Sequence, residues 1–181
     1  RTIEEMEHNY EGYQGAVKYI MKKEQPGVYG VVADLMQVPA GYEIAIETAL
    51  GSAMQNIVCK RDADAKAAIR LLKENKAGRA TFLPLESVKG TKIKVDPRIE
   101  AAPGYKGLGA DCIQFDSQYE GIFQYLLGRV AIVDHMDHAI ALSKLGGKGL
   151  RFVTMDGEII NVSGAITGGK YKNATANLLE R

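Results

Sequence analysis

Five consecutive residues, Asp134-His135-Met136-Asp137-His138, supply four side chains able to ligate a metal. His135 and His138 stand three apart and share a face if the segment is helical. No further His or Cys cluster accompanies them. The plainer reading is a strand end followed by an acidic first helical turn, which the helix dipole favours, and no metal is expected. A second candidate is the stretch from Gly164 to Tyr171, Gly-Ala-Ile-Thr-Gly-Gly-Lys-Tyr. It nearly fits the phosphate loop GxxxxGK[ST], but Tyr171 stands where the Mg²⁺-ligating hydroxyl belongs. A small α/β enzyme that binds a phosphate ligand through Gly164 to Lys170 is therefore the alternative reading of the chain. Those glycines also suit close backbone approach by another segment. No GxSxG elbow is present, and no carboxylates are paired at a motif spacing. Gly107-Leu108-Gly109 lacks the third glycine of a dinucleotide loop, and Gly146 to Gly149 reads as a helix cap and turn.

Basic residues form the third candidate. Lys66, Arg70 and Lys73 share one helix face. Lys22-Lys23 closes the first helix, and Lys170 and Lys172 open the last. If the terminal helices emerge side by side, these four lysines pool their charge into a nucleic-acid site; the plain reading is a solvated basic face. The whole-molecule field gives no help, since 23 Lys+Arg against 22 Asp+Glu leave a net charge of +1. A standalone nucleic-acid binder is a third reading, with monomeric and strongly salt-dependent DNA affinity.

The scaffold is that of an ordinary folded domain. Of 181 residues, 46% are hydrophobic and 25% charged, which excludes disordered and fibrous classes. Cys59 and Cys112 form no CxxC, which points to a reducing compartment and excludes a disulfide framework. No apolar run approaches the ~20 residues of a membrane helix, and no signal-peptide pattern is seen. The chain does not open on Met and reads as a piece of something longer.

The apolar residues Ile3, Met6, Tyr10, Tyr13, Val17 and Ile20 follow a 3-4-3-4-3 spacing, so a helix with a heptad seam is expected up to Pro26-Gly27. A short helix is expected from Asn173 to Arg181. Between them the pattern predicts a strand over Val28 to Met36, a helix over Pro39 to Leu50 and a strand over Asn56 to Cys59. A helix over Asp62 to Lys76 follows, with Ala65, Ala68, Ile69 and Leu72 as its core face, and then a strand over Thr81 to Leu85. Glu86 to Gly109 reads as a long irregular connection. Beyond it come a helix over Gln118 to Leu127, a strand over Val130 to Val133 and a helix over Met136 to Leu145. Two strands, Leu150 to Thr154 and Glu158 to Val162, flank the hairpin signal Asp156-Gly157. The body carries a repeat. Tyr42-Glu43, six residues, Leu50-Gly51 is matched by Tyr119-Glu120, six residues, Leu127-Gly128, and each is followed by an apolar pair and an Asp-led helix.

Several segments in this order resemble one family, across nearly the whole chain. They are Gly12-Tyr13 with Gly15-Ala16-Val17, Gly30-Val31-Val32-Ala33-Asp34-Leu35, and Tyr42-Glu43-Ile44-Ala45-Ile46-Glu47-Thr48-Ala49-Leu50-Gly51. Gly78-Arg79-Ala80-Thr81-Phe82-Leu83-Pro84-Leu85, Thr154-Met155-Asp156-Gly157-Glu158 and Ser163-Gly164-Ala165-Ile166-Thr167-Gly168-Gly169 complete the set. Together they resemble the hinge domain of structural maintenance of chromosomes (SMC) proteins, of the prokaryotic kind. The resemblance implies an α/β fold with mixed sheets, built as two pseudo-repeated subdomains flanked by coiled-coil stubs. Residues 1–25 would be the incoming stub, 26–110 the first subdomain, 111–169 the second and 170–181 the outgoing stub. It implies a homodimer in which the first subdomain of each chain meets the second subdomain of the other. The family's glycine-rich interface motif falls on Ser163, Gly164, Gly168 and Gly169, with Ser163 where related hinges often carry Gly. Weak DNA contact near the arm junction would fall on Lys22, Lys23, Lys170 and Lys172. No cofactor and no catalysis are implied for this chain. The ATPase head and kleisin-type partners would belong to other parts of a longer, cytoplasmic, nucleoid-associated protein.

Overall fold

The computed structural model of the chain describes residues 12–146 and 149–170. The seam residues Ile3, Met6 and Tyr10 and the segment Asn173 to Arg181 lie outside them. The foreseen heptad helix does not include Gly12 to Gln14, which are not helical: Gly12 has φ +86°, and α1 runs Gly15–Lys23. Tyr13, Val17 and Ile20 are buried in the body of the domain. They are thus core residues here. The helix ends on Glu24 in the left-handed region, just before Pro26.

The foreseen strand from Val28 to Met36 is cut in two. β1 spans Val28–Val31, a 3₁₀ turn covers Val32–Asp34, and β2 is Met36–Gln37. Ala33-Asp34 are weak strand formers, and Asp34 accepts a 2.7 Å hydrogen bond from the Tyr13 hydroxyl that ties the turn to the entering chain. α2 is Glu43–Leu50, four residues shorter than expected, because Pro39 to Tyr42 is a turn closed by Tyr42 N–H on Pro39 O. β3 (Ile57–Cys59), α3 (Asp62–Glu74) and β4 (Phe82–Pro84) follow. α3 buries Ala68 and Leu72, but Ile69 is 40% exposed, so the expected core face is narrower.

The connection from Glu86 holds more than irregular chain. α4 is Pro97–Glu100 and β5 is Tyr105–Leu108. After a 3₁₀ turn come β6 (Gln114–Phe115), a second 3₁₀ turn, α5 (Glu120–Leu127), β7 (Val130–Val133) and α6 (Met136–Ser143). β8 (Arg151–Thr154), β9 (Ile159–Ile160) and β10 (Ile166–Thr167) end the described chain.

The same order of elements occurs twice: strand, 3₁₀ turn, short strand, helix, strand, helix, strand. β1 runs antiparallel to β3, and β3 parallel to β4. β5 runs antiparallel to β7, and β7 parallel to β8. Each antiparallel ladder carries a bulge, one between Val28 and Gly30 and one between Tyr105 and Gly107. The second sheet is longer, in the order β10-β9-β8-β7-β5, whereas the first stops at β4. β2 pairs β6 antiparallel, and Ile46, Met54, Ile122 and Phe123 belong to one shared core. A smaller cluster of Ile99, Val133, Leu142 and Phe152 packs beneath the second sheet.

Candidate interaction edges

The glycine-rich segment near the end of the described chain is a hairpin with an open outer strand. β8 and β9 are joined through Asp156-Gly157 with Phe152 opposite Ile160, as the hairpin signal led us to expect. β10, not foreseen, then folds back on β9 with Ile166 opposite Ile160. The turn between them is closed by Gly164 N–H on Asn161 O (2.9 Å) and Asn161 N–H on Ala165 O (2.8 Å). Gly164 sits at φ +97°, which an L side chain adopts only under strain. The Ser163 hydroxyl accepts from Ala165 N–H at 3.4 Å.

Antiparallel partners alternate between bonded and non-bonded pairs. Asn161 and Ala165 are bonded, so Ile166 opposite Ile160 is not, and its N–H and C=O face away from β9. Among the described residues no strand pairs with them, and β10 forms one edge of the five-stranded sheet. Ser163, Gly164, Gly168, Gly169 and Lys170 are all exposed, and so are Val162 (63%) and Ile166 (56%). Among the described residues a Cβ on Gly168 would touch only the Glu158 side chain, nearest at Cγ (3.4 Å), an ordinary contact, and its φ is not in the left-handed region. Nothing among the described residues requires glycine there. Between Gly164 and Lys170 the two-residue strand β10 lies between bends; the strand–loop–helix cradle of a phosphate loop is not formed by the described residues.

The first sheet also has, at β4, an edge that no described strand pairs with. Ile57 N–H bonds Thr81 O and Leu85 N–H bonds Cys59 O, so Thr81 and Leu85 face β3. By alternation Phe82 and Pro84 face outward. Pro84 has no N–H, and its carbonyl accepts from Val88 N–H, which leaves Phe82 as the pairing residue. Beside this edge runs a groove of about 450 Å³ lined by Ala65, Ile69 and Pro84, with Lys66, Arg70, Lys73 and Asp62 on its rim. Sequence reasoning found the basic residues but missed the edge; Pro84 inside a strand pattern was the available signal.

The remaining candidates are placed as follows. Lys22 and Lys23 are exposed at the end of α1, with Lys23 Nζ 5.2 Å above the Tyr19 ring. Lys172 lies outside the described residues. Asp134, His135 and His138 come together where β7 meets α6, while Asp137 does not join them. Both thiols are held up at about 11, Cys59 by burial and by Asp64 and Asp62, Cys112 by burial and by Asp111. Among the described residues no helix is long and apolar enough to cross a membrane.

Comparison with known proteins agrees with this architecture. Residues 25–143 match the family of SMC proteins' flexible hinge domains. The chain is 39% identical to the chromosome partition protein Smc of Halothermothrix orenii, over 99% of this chain and 15% of that protein. It is 39% identical to that of Methanocaldococcus jannaschii, over 87% of this chain and 13% of that protein. The chain thus spans less than a fifth of the length of these relatives. Among solved structures, an asymmetric dimer of the Geobacillus stearothermophilus SMC hinge domain superposes with a TM-score of 0.89 at 39% identity, covering 98% of this chain and 72% of that one. The Pyrococcus furiosus SMC hinge domain gives 0.72 at 36% identity, covering 91% and 85%. Two open sheet edges, the doubled order of elements and these matches lead to one assignment: the chain belongs to the SMC flexible hinge family.

Proposed function

We propose that this hinge domain joins two copies of itself, and through them two coiled-coil arms of a chromosome-organising ATPase. The observation that carries the reading is the pair of unlike open edges. β10 of one copy presents Ile166 with Gly164 and Gly168 on either side, and β4 of the other presents Phe82 beside the Ala65/Ile69/Pro84 groove. Strand addition would join the backbones, and Ile166 and Val162 would enter the groove. Two such contacts close a two-membered ring, first subdomain to second in both directions. Among the described residues nothing requires Gly168 to lack a side chain, which supports close approach by a second chain. That hinge structures of relatives include an asymmetric dimer supports it further.

Light scattering tests the reading on the native chain and on Gly168→Val, with circular dichroism to confirm folding. The expected result is a native dimer and a folded monomeric variant. A native monomer at micromolar concentration overturns it.

DNA contact at the arm junction is a second part of the proposal, motivated by the exposed Lys22, Lys23 and Lys170, with Lys172 next along the chain. Binding should be weak, and replacing each of these lysines by Gln should lower the salt slope by about 1. An unchanged slope removes these residues from the contact. Kleisin-type subunits and ATP hydrolysis are assigned to other parts of the longer protein. The phosphate-ligand enzyme reading predicts saturable nucleotide binding that is lost in Lys170→Ala; calorimetric titration with ATP separates the two readings.

A further inference from the structure

The two halves close the same corner with different chemistry. In the first, Lys60 N–H bonds Gly27 O at 2.8 Å where β3 leaves the sheet; in the second, Asp134 N–H bonds Gly104 O at 2.9 Å where β7 does. With Lys60 matched to Asp134, Arg61 falls on His135 and Asp64 on His138. Arg61 and Asp64 form a 3.1 Å ion pair across the first turn of α3. Their counterparts are two imidazoles, stacked with centroids 4.1 Å apart and planes at 24°. A fixed ion pair in one half is replaced in the other by two metal-ligand rings, with a carboxylate added.

We propose that Asp134, His135 and His138 bind a divalent transition metal of the zinc class. Their ligand atoms all lie within 4.8 Å of one another. His138 Nδ1 is 2.8 Å from Asp134 Oδ1, and His135 Nε2 is 3.9 Å from Asp134 Oδ2. Metal–ligand bonds of about 2.0–2.2 Å put ligand atoms of a tetrahedral site roughly 3.3 Å apart. The two distances run to different oxygens of Asp134, so a metal held by one of them needs the short pair to open by about half an ångström and His135 to rotate out of the stack toward that oxygen. The metal replaces the proton shared by His138 and Asp134, and neutral His138 then carries its proton on Nε2. Mixed nitrogen and carboxylate donors select zinc-class ions over magnesium and calcium. The three side chains are a third to a half exposed, so water can complete the coordination.

The positive end of α6 opposes a cation with about half a charge, and the full charge on Asp134 outweighs it. Asp134 Oδ1 accepts from the His135 N–H at 2.6 Å and lies 2.8 Å from His138 Nδ1, which orients the carboxylate toward both histidines. Asp137, exposed in the same first turn, adds a second negative charge nearby.

The test is calorimetric titration of the chelator-treated 181-residue chain with zinc, and cobalt(II) titration followed by its visible spectrum. Saturable one-to-one binding is expected, weakened at least about tenfold in His135→Ala, His138→Ala and Asp134→Asn. Zinc should raise the Tm of the native chain but not of the double histidine variant. His8→Ala and Cys112→Ser should bind as the native chain does. Absence of saturable binding overturns the proposal, and so does binding that survives in the double histidine variant.

Discussion

Gly164 and Gly168 are glycine for different reasons, and substitution should separate them. Gly164 holds a left-handed turn, so Gly164→Ala should cost about 1–2 kcal/mol of fold stability. The measurement is urea unfolding in the monomeric Gly168→Val background, since dimerisation would add to apparent stability. Gly168→Val should leave the fold's stability within about 0.5 kcal/mol and abolish pairing. Sequence spacing marked both residues but could not divide their roles, because a φ angle and an intermolecular approach leave the same letter in the chain. The Arg61–Asp64 pair makes a further residue-scale prediction. Hydrogen bonding from Arg61 holds the Asp64 carboxyl below its ordinary 3.8. The unfolded chain therefore binds the proton more readily, and the pair's contribution is full above that value. It is lost as pH falls through the lower folded value. Asp64→Asn should flatten the acid limb of stability against pH, read as unfolding midpoints between about pH 5 and 2.

Elements were legible where burial runs along the whole segment. Val130 to Val133 are all buried, and this strand has the bounds that its apolar run predicts. β5 was hidden because Gly107, which makes its bulge, reads as a loop residue. β10 was hidden because it is two residues long inside a glycine run, and its pairing with β9 leaves no periodic trace. Ile69 was misassigned for a related reason. Helical spacing assumes an apolar residue faces its own core, whereas α3 flanks an edge that no described strand pairs with. Leu72→Ala should cost about 2–5 kcal/mol by emptying a buried site, and Ile69→Ala less than about 0.5 kcal/mol in the monomer while weakening the dimer. At the other edge, Ile166→Pro removes an N–H that β9 does not use. The β9–β10 ladder should survive, as seen by circular dichroism, and dimerisation should fall, as seen by light scattering.

At the scale of the whole molecule, the proposed pairing of two unlike edges would be a heterologous contact, and such contacts either close or propagate. Closure after two copies requires the edges to face the same way around a two-fold axis. The shared core and the β2–β6 ladder fix the two sheets against each other and so fix that angle. Loosening the ladder, by Met36→Gly with Phe115→Gly, should therefore broaden the mass distribution toward larger species; a sharp dimer in this variant would show that the ladder does not set the angle. The near-neutral net charge provides little repulsion against such growth.

The β4 edge also has a history in time. It lies at residues 82–84, whereas the strand proposed to cover it lies at 166–167, on another molecule. At about 5–20 residues per second, a ribosome makes the edge several seconds before it makes β10. Among the described residues no later strand of its own chain pairs with it. Nascent copies on one message would carry bare edges side by side, and the first partner a new hinge meets would be a neighbour on the same polysome.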